Sequence, residues 1–225
     1  MTQTNDAARK EKILAELRRL YPDAGPELHF TNPFETLVAT MLSAQCTDKR
    51  VNVVTEKLFA RYKCPADIAA ITPEELEPQI RECGLYHNKA RNIVAACRMI
   101  CEQYGGQVPG DWQALNALPG VGRKTANVVY ANAFHGDAIA VDTHVFRVSN
   151  RLGLAHAKDV GKTEEQLMQA IPKSEWSKAH HYLIFHGRRV CSARAPKCET
   201  CTLRDLCEYY AAKGAQAENK EESAK

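Results

Sequence analysis

The chain has 225 residues, enough for one large domain or two small ones with a substantial core. With 44% hydrophobic and 25% charged residues, and no apolar run near the ~20 residues that span a bilayer, it has the composition of a globular protein. The N-terminal stretch carries acids and no unbroken apolar core, which excludes a secretory signal and favours a cytoplasmic protein. The net charge of +3 says little about partners.

Nearly every periodic segment of the sequence predicts a helix. Asn32 and Thr72 are expected N-caps, each followed directly by proline, and Asp111 is expected to cap a shorter helix. In chain order, helices are predicted within residues 32–44, 72–80, 88–106, 111–118, 123–134, 142–154, 163–171 and 174–190. One weak extended segment, "DAIAVD", has no evident pairing partner. The sequence therefore predicts an all-α fold of many short helices.

The stretch "LPGVGRKTA" joins two of these predicted helices by a glycine turn. Gly120 and Gly122 permit positive φ angles and place no side chain in the way. The following helix begins with amide groups that lack internal partners, so the turn can bring backbone N–H groups onto a phosphate oxygen. Such a contact would hold nucleic acid without reading its sequence. The alternative is a tight interhelical turn with no ligand.

Lys124 lies in the first turn of the second of these helices. A cation there is disfavoured by the helix dipole. If the side chain is also shielded from water, its ammonium should lose a proton more easily, and a neutral amine can form a Schiff base with an aldehyde-like carbon. The alternative is a surface lysine that touches phosphate as a point charge.

Asp142, in "AVDTHVFRVSNRLGL", falls at or beside a helix N-terminus, where anions are favoured. Its role can be capping alone. If the fold brings it near Lys124, its carboxylate could instead activate the amine or stabilise positive charge that develops on a sugar.

Four of the nine cysteines are clustered in "CSARAPKCETCTLRDLC". Cys191, Cys198, Cys201 and Cys207 have the spacing C-x6-C-x2-C-x5-C, and four thiolates so close in sequence can surround a tetrahedral metal ion or a cubane cluster. Ligand chemistry leaves zinc and iron–sulfur both open.

The same region is basic. Residues 177–198 contain five Lys or Arg residues and no acid, and Arg194 and Lys197 lie between the first two clustered cysteines. A loop braced by metal would hold these charges outward, as contact with phosphate requires. A solvated basic surface without a ligand is the alternative.

These motifs, together with "MLSAQCTD" (41–48) and "GLYHNKA" (84–90), resemble the endonuclease III family of helix-hairpin-helix DNA glycosylases. The resemblance spans residues 20–207, and the cysteine spacing is its most specific element. Cys46 and His87 stand where other small polar residues are expected in relatives.

The resemblance implies two helical lobes that flank a DNA-binding cleft. Residues 26–137 would form a six-helix lobe with the helix-hairpin-helix at about 112–134, while residues 1–25 and 138–210 would form a lobe that holds a [4Fe–4S] cluster. Residues 211–225 lack large apolar groups and are expected to be a disordered tail.

The resemblance also assigns roles to individual residues. Lys124 matches the nucleophile, Asp142 the catalytic aspartate, and the four clustered cysteines the cluster ligands. Gln45 matches the residue that fills the gap left by an extruded nucleotide, and Leu85 falls in the loop that wedges into the opposite strand. Further DNA contacts are expected from the hairpin and the basic loop, at Gly120, Gly122, Arg123, Arg194 and Lys197.

The implied reaction is excision of an oxidised pyrimidine from duplex DNA, followed by β-elimination at the abasic site. The enzyme would act as a monomer on double-stranded DNA, away from membranes. An adenine–DNA glycosylase is the nearest alternative, but those enzymes lack a lysine at the position of Lys124. A non-catalytic DNA-binding module with a zinc-braced loop and an electron-transfer protein are alternatives from other classes, and the latter leaves Lys124 and Asp142 unexplained.

Overall fold

A computed structural model describes residues 3–213, and within this range it contains helices and no strand, which confirms the all-α prediction. Four short 3-10 turns occur in the same range, and residues 208–213 form a last helical stretch. The helices are α1 (Gln3–Leu20), α2 (Pro33–Leu42), α3 (Asp48–Arg61), α4 (Pro65–Ala69), α5 (Pro73–Ile80), α6 (Tyr86–Gln103), α7 (Trp112–Ala117), α8 (Arg123–Phe134), α9 (Thr143–Leu152), α10 (Val160–Ala170) and α11 (Trp176–Arg189).

The predicted helix starts have the expected local chemistry. The side chains of Asn32, Thr72 and Asp111 each accept a hydrogen bond from the backbone N–H three residues later, at 3.0, 3.3 and 2.9 Å. At Thr72 the reciprocal bond from its own N–H to the Glu75 carboxylate completes a capping box. These caps depend only on neighbours in sequence, which is why they could be predicted.

The chain divides into two compact units. One unit, Pro26–Ala138, contains α2 to α8, and the other combines the stretch that ends at Gly25 with the stretch that begins at Ile139. The expected weak strand near residues 137–142 has no regular secondary structure. Of the expected disordered tail, residues 211–213 are helical and the remainder lies outside the described residues.

The middle unit, Pro26–Ala138, is built around α6, against which α2, α4 and α5 pack, while α8 packs on α2. Its core is aliphatic, with Leu37, Ile93 and Ile100 fully buried. Cys97 is buried in this core, whereas Cys101, four residues later on the same helix, is only half-buried.

The other unit, formed by the two ends of the chain, packs α1 and α9 against α11. Arg9 of α1 donates hydrogen bonds to the carbonyls of Leu152 and Gly153 at the end of α9, at 2.7 and 2.9 Å. It also donates to the carbonyl of Leu206 at 3.0 Å and pairs with the Glu208 carboxylate at 3.0 Å. The N-terminal helix is thereby fastened to residues on both sides of the last clustered cysteine. None of the helices within residues 3–213 is long and apolar enough to cross a membrane.

Candidate active site

The glycine hairpin between α7 and α8 presents its backbone to solvent. Leu118 and Val121 are buried at 2% and 5% exposure and anchor the turn in the core, and the Val121 N–H donates to the Leu118 carbonyl at 3.0 Å. Gly120 and Gly122 lie on the exposed side. Gly122 provides no side-chain cap to α8, so the helix begins with amides turned toward open space.

The two glycines serve different purposes. Gly120 has φ +74°, and a Cβ atom there would lie 2.6 Å from the Cβ of Asn92 on α6. Both conformation and space therefore require glycine at this position. Gly122 has φ −88°, so the left-handed conformation considered for both glycines occurs only at Gly120. A Cβ at Gly122 would meet nothing within 4 Å, which leaves room for a ligand to approach the helix end.

Lys124 is the second residue of α8, and its side chain is exposed. The shielding from water that the sequence argument requires is therefore not supplied by the chain itself. Beside it, the Arg123 guanidinium lies 5.7 Å from the centre of the Trp112 ring, and the Trp112 indole N–H donates to Asn127 Oδ1 at 2.6 Å. These contacts fix the start of α8 against α7 and hold a second cation next to Lys124.

Asp142 is the N-cap of α9. Its Oδ1 accepts hydrogen bonds from the backbone N–H groups of His144 and Val145, at 2.8 and 2.7 Å. Because both bonds use the same oxygen, capping leaves the second carboxylate oxygen available. Asp142 is half-buried and belongs to the unit formed by the chain ends, whereas Lys124 belongs to the middle unit.

Two arginines tie the helix that Asp142 caps to the cysteine segment. Arg147 donates to the carbonyls of Cys191 and Gly187, both at 3.0 Å. One turn later, Arg151 donates to the carbonyls of Ser192 and Ala193 at 2.8 and 2.9 Å, and its Nη1 lies 3.5 Å from Cys191 Sγ. The position of α9 therefore depends on how the segment around Cys191 is folded.

All four clustered cysteines line one cavity, part of which is open to solvent. Within residues 3–213, no three His, Cys, Asp or Glu side chains lie close enough together to hold a single metal ion. Four cysteine sulfurs around one cavity are a donor set that fits a cubane cluster.

The cysteine sulfurs are also hydrogen-bonded to the surrounding protein. His186 is 1% exposed, and burial lowers the pKa of its imidazole to about 4. Its Nδ1 lies 3.0 Å from the Tyr21 hydroxyl and its Nε2 lies 3.7 Å from Cys201 Sγ. When Cys201 is a thiolate, Nε2 must carry the proton and donate to sulfur, and the Tyr21 hydroxyl then donates to Nδ1.

The loop between Cys191 and Cys198 carries exposed Arg194 and Lys197. The Lys197 N–H donates to the Val190 carbonyl at 3.0 Å, and the Ser192 hydroxyl donates to the Ala195 carbonyl at 2.6 Å. These bonds close the loop on itself, so both cations project from a defined backbone.

Gln45 and Leu85 share an unusual backbone conformation. They are exposed residues of the middle unit with φ +54° and +50°, in the left-handed region that residues other than glycine seldom occupy. Each such residue costs about 1 kcal/mol or more and is kept only where its surroundings impose it, often at functional sites. Leu85 is 54% exposed although it is a large apolar residue.

Comparison with known proteins identifies the family to which these features belong. Residues 38–173, more than half of the chain, match the model of the "HhH-GPD superfamily base excision DNA repair protein". The endonuclease III of Bacillus subtilis is 53% identical over 198 residues, which cover 88% of this chain and 90% of that protein. The chain belongs to the endonuclease III family.

Other members of the family agree. The endonuclease III of Escherichia coli K12 is 48% identical over 202 residues, which cover 90% of this chain and 96% of that protein. A solved structure of a trapped covalent endonuclease III–DNA intermediate superposes with a TM-score of 0.85 at 51% identity, covering 91% of this chain and 98% of that one. The helix-hairpin-helix fold that the sequence predicts is therefore confirmed.

No sequence pattern indicated the two arginines that tie the helix after Asp142 to the cysteine segment. Arg147 and Arg151 are an i, i+4 pair on the helix after Asp142, and that spacing places both on one face. Their partners are backbone carbonyls about 40 residues later, which no local pattern specifies. Lys89 also binds backbone carbonyls of other segments, and no local pattern indicated this.

Substitution of the two glycines should separate their roles. Gly120→Ala should lower the free energy of unfolding by more than about 1 kcal/mol, because alanine is strained at this φ and its Cβ would collide with Asn92. Gly122→Ala should change the free energy of unfolding by less than about 0.5 kcal/mol. Denaturant titration followed by circular dichroism measures both, and equal losses in the two variants would contradict this account of the hairpin.

Proposed function

We propose that this chain is a bifunctional DNA glycosylase and abasic-site lyase that removes oxidised pyrimidines from duplex DNA. The observation that carries the proposal is the trapped covalent DNA complex of an endonuclease III 51% identical to this chain, taken together with a lysine at the exposed end of the hairpin helix. A covalent intermediate requires a nucleophile, and Lys124 is the nucleophile that the sequence resemblance assigns. We further propose that the enzyme works as a monomer in the cytoplasm, where bacterial DNA lies.

Binding to the DNA backbone would be independent of sequence. The exposed hairpin offers backbone amides at the start of α8, with Arg123 beside them, and the cysteine loop offers Arg194 and Lys197. Helix-end amides and cations both suit phosphate, and neither reads a base. Because these groups fix register on the duplex, they would bring the glycosidic bond of a damaged nucleotide to the reacting residues.

Access to the damaged nucleotide requires it to leave the base stack, which costs a few kcal/mol and less when the base is damaged. Gln45 would fill the gap left in the duplex, and Leu85 would wedge into the opposite strand. The exposed leucine and the left-handed backbone at both positions support this assignment, since a rigid projecting side chain is what an intercalating wedge needs.

The chemistry would begin with the neutral amine of Lys124. Its nitrogen attacks the sugar C1′ while the bond from C1′ to the base breaks, and the base leaves with the bonding electrons and a proton. Asp142 would assist through the carboxylate oxygen that capping does not use, by stabilising positive charge on the sugar or by taking up a proton. Bound DNA would supply the shielding of Lys124 that the chain alone does not.

The second step would follow from the Schiff base that joins Lys124 to the opened sugar. Its positive nitrogen acidifies the C2′ proton, and loss of that proton expels the 3′ phosphate by β-elimination. Water then hydrolyses the Schiff base and returns the free lysine. One residue would therefore perform both base removal and strand cleavage.

A [4Fe–4S] cluster is proposed at the four-cysteine cavity, held by Cys191, Cys198, Cys201 and Cys207. When bound, the cluster supplies four covalent links that hold this segment in one conformation. His186 would donate a hydrogen bond to the Cys201 sulfur. Through their hydrogen bonds to this segment, Arg147 and Arg151 would hold the helix that Asp142 caps in a fixed position once the cluster is bound. The protein groups thus connect the metal site to the catalytic carboxylate.

Replacement of the lysine tests the reaction most directly. Borohydride should trap a covalent complex between the wild type and duplex DNA that contains an oxidised pyrimidine, because it reduces the Schiff base to a stable amine. Lys124→Gln should abolish the trapped band on a denaturing gel, since no amine remains. Lys162→Gln is the matched control, because Lys162 is an exposed lysine in the first turn of α10. A trapped band in Lys124→Gln, or its loss in the control, would place the nucleophile elsewhere.

The role of the carboxylate can be separated from capping. Asparagine caps a helix about as well as aspartate, so Asp142→Asn should retain the thermal midpoint and the affinity for DNA. Base removal should slow by about 10²-fold or more, because the charge that stabilises the sugar is lost. Asp159→Asn, a change at the comparable N-cap of α10, should leave the rate unchanged. A parallel loss of stability and rate in Asp142→Asn would show that Asp142 acts only as a cap.

The metal site gives a spectroscopic prediction. Protein purified without oxygen should contain about four irons per chain and show a broad visible absorption band. Cys198→Ser should lose both signals, while Cys64→Ser, a change at an exposed cysteine of the middle unit, should retain them. A colourless protein with a single zinc ion would refute the cluster.

A further inference from the structure

Lys89 is a buried lysine that joins two loops of the middle unit. Its side chain lies on α6 and the residue is 7% exposed. The ammonium Nζ donates to the carbonyl of Leu42, the last residue of α2, and to the carbonyl of Cys83, the last residue of a 3-10 turn, at 2.8 Å each. One cation therefore links two segments that are about 40 residues apart in sequence.

The linked segments are those that carry Gln45 and Leu85. Gln45 follows Leu42 by three residues, and Leu85 follows Cys83 by two. Each loop has short-range bonds of its own, such as Cys46 N–H to the Ser43 carbonyl at 3.1 Å and Gly84 N–H to the Arg81 carbonyl at 3.2 Å. Those bonds shape each loop separately, whereas the Lys89 ammonium joins the two loops to one point on α6.

A charged group at this depth is costly unless it is fully hydrogen-bonded. Burial lowers the pKa of Lys89, and the neighbouring thiols of Cys83 and Cys46 oppose that shift. An apolar side chain of similar length would avoid this desolvation cost but would leave both carbonyls without a donor, which is itself costly. The ammonium therefore keeps these two carbonyls paired and fixes where the two loops begin.

We propose that Lys89 is a positioning residue for extrusion of the damaged nucleotide. By pinning both loops to α6, it holds Gln45 and Leu85 in the left-handed conformations and at the spacing with which they enter the duplex. This inference rests on the proposed function, because it concerns the step that precedes attack by Lys124. Lys89 touches neither substrate nor reacting atoms.

Lys89→Met tests the proposal, since methionine fills the cavity but cannot donate a hydrogen bond. Arg98→Met is the matched control: Arg98 also lies on α6 and donates to two carbonyls, those of Ala69 and Ile71 at 3.1 and 3.0 Å, but in a loop that carries neither Gln45 nor Leu85. Single-turnover excision is measured with the oxidised pyrimidine in a fully paired duplex. Borohydride trapping is measured on a duplex with a preformed abasic site, where no base has to be unstacked.

For Lys89→Met, excision from the paired duplex should slow about 10- to 100-fold, as expected when reacting groups are misplaced by about 1 Å. Trapping at the preformed abasic site and affinity for DNA should change less than about threefold, because attack and phosphate contacts are intact. Fluorescence of 2-aminopurine placed opposite the lesion should rise less than in the wild type, since the opposing base is less disturbed. Arg98→Met should behave as the wild type in all three assays.

Three results would overturn the proposal: equal losses on both substrates, unchanged excision from the paired duplex, or an unchanged fluorescence rise. If Lys89→Met does not fold, Lys89→Gln carries the same test, because the amide can still donate and should give a smaller defect with the same substrate dependence. Failure of the proposed function is distinguishable, because the wild type itself would then neither excise the base nor form the trapped complex.

Discussion

Backbone N–H and C=O groups at the ends of helices have no partners within the helix, and much of this structure depends on the side chains that bind them. Side chains cap the N-termini of α2, α3, α5, α7, α9 and α10. Lys89 and Arg9 bind carbonyls at the C-termini of α2 and α9. By contrast, the residues that precede α6, α8 and α11 form no side-chain capping bond. DNA contacts are proposed at the first two of these helix starts, where a phosphate or base would take the place of a cap.

Because helix ends need side-chain partners, one residue can both cap a helix and take part in the proposed reaction. The carboxylate of Asp142 caps α9 with one oxygen, and the other oxygen is the one proposed to act on the substrate. At the far end of this helix, Arg151 binds the cysteine segment and Arg9 binds the last carbonyls. The helix that Asp142 caps is thus fixed at its C-terminal end, which would limit the movement of the proposed catalytic carboxylate.

Hydrogen bonds between residues close in sequence were predictable, whereas hydrogen bonds between distant segments were not. The caps at Asn32, Thr72 and Asp111 follow from residues within one helical turn, and the all-α fold follows from periodicity. The hydrogen bonds of Lys89 and Arg147 end on backbone carbonyls that any residue could supply, so no side-chain pattern indicates them. The exposure of Lys124 was also beyond the sequence, because periodicity does not show how deeply the start of a helix is buried.

The unit that contains the four clustered cysteines is formed by both ends of the chain, and this affects the order in which the protein can fold. The middle unit, Pro26–Ala138, can fold as soon as it leaves the ribosome, since its core draws on no later residue. Arg9 is among the first residues to be synthesised, but its bonds to Leu206 and Glu208 can form only after nearly the whole chain has been made. The proposed cluster site is therefore complete only after both ends of the chain have been made, and a chain that stops before residue 207 has the hairpin but lacks one of the four cysteines.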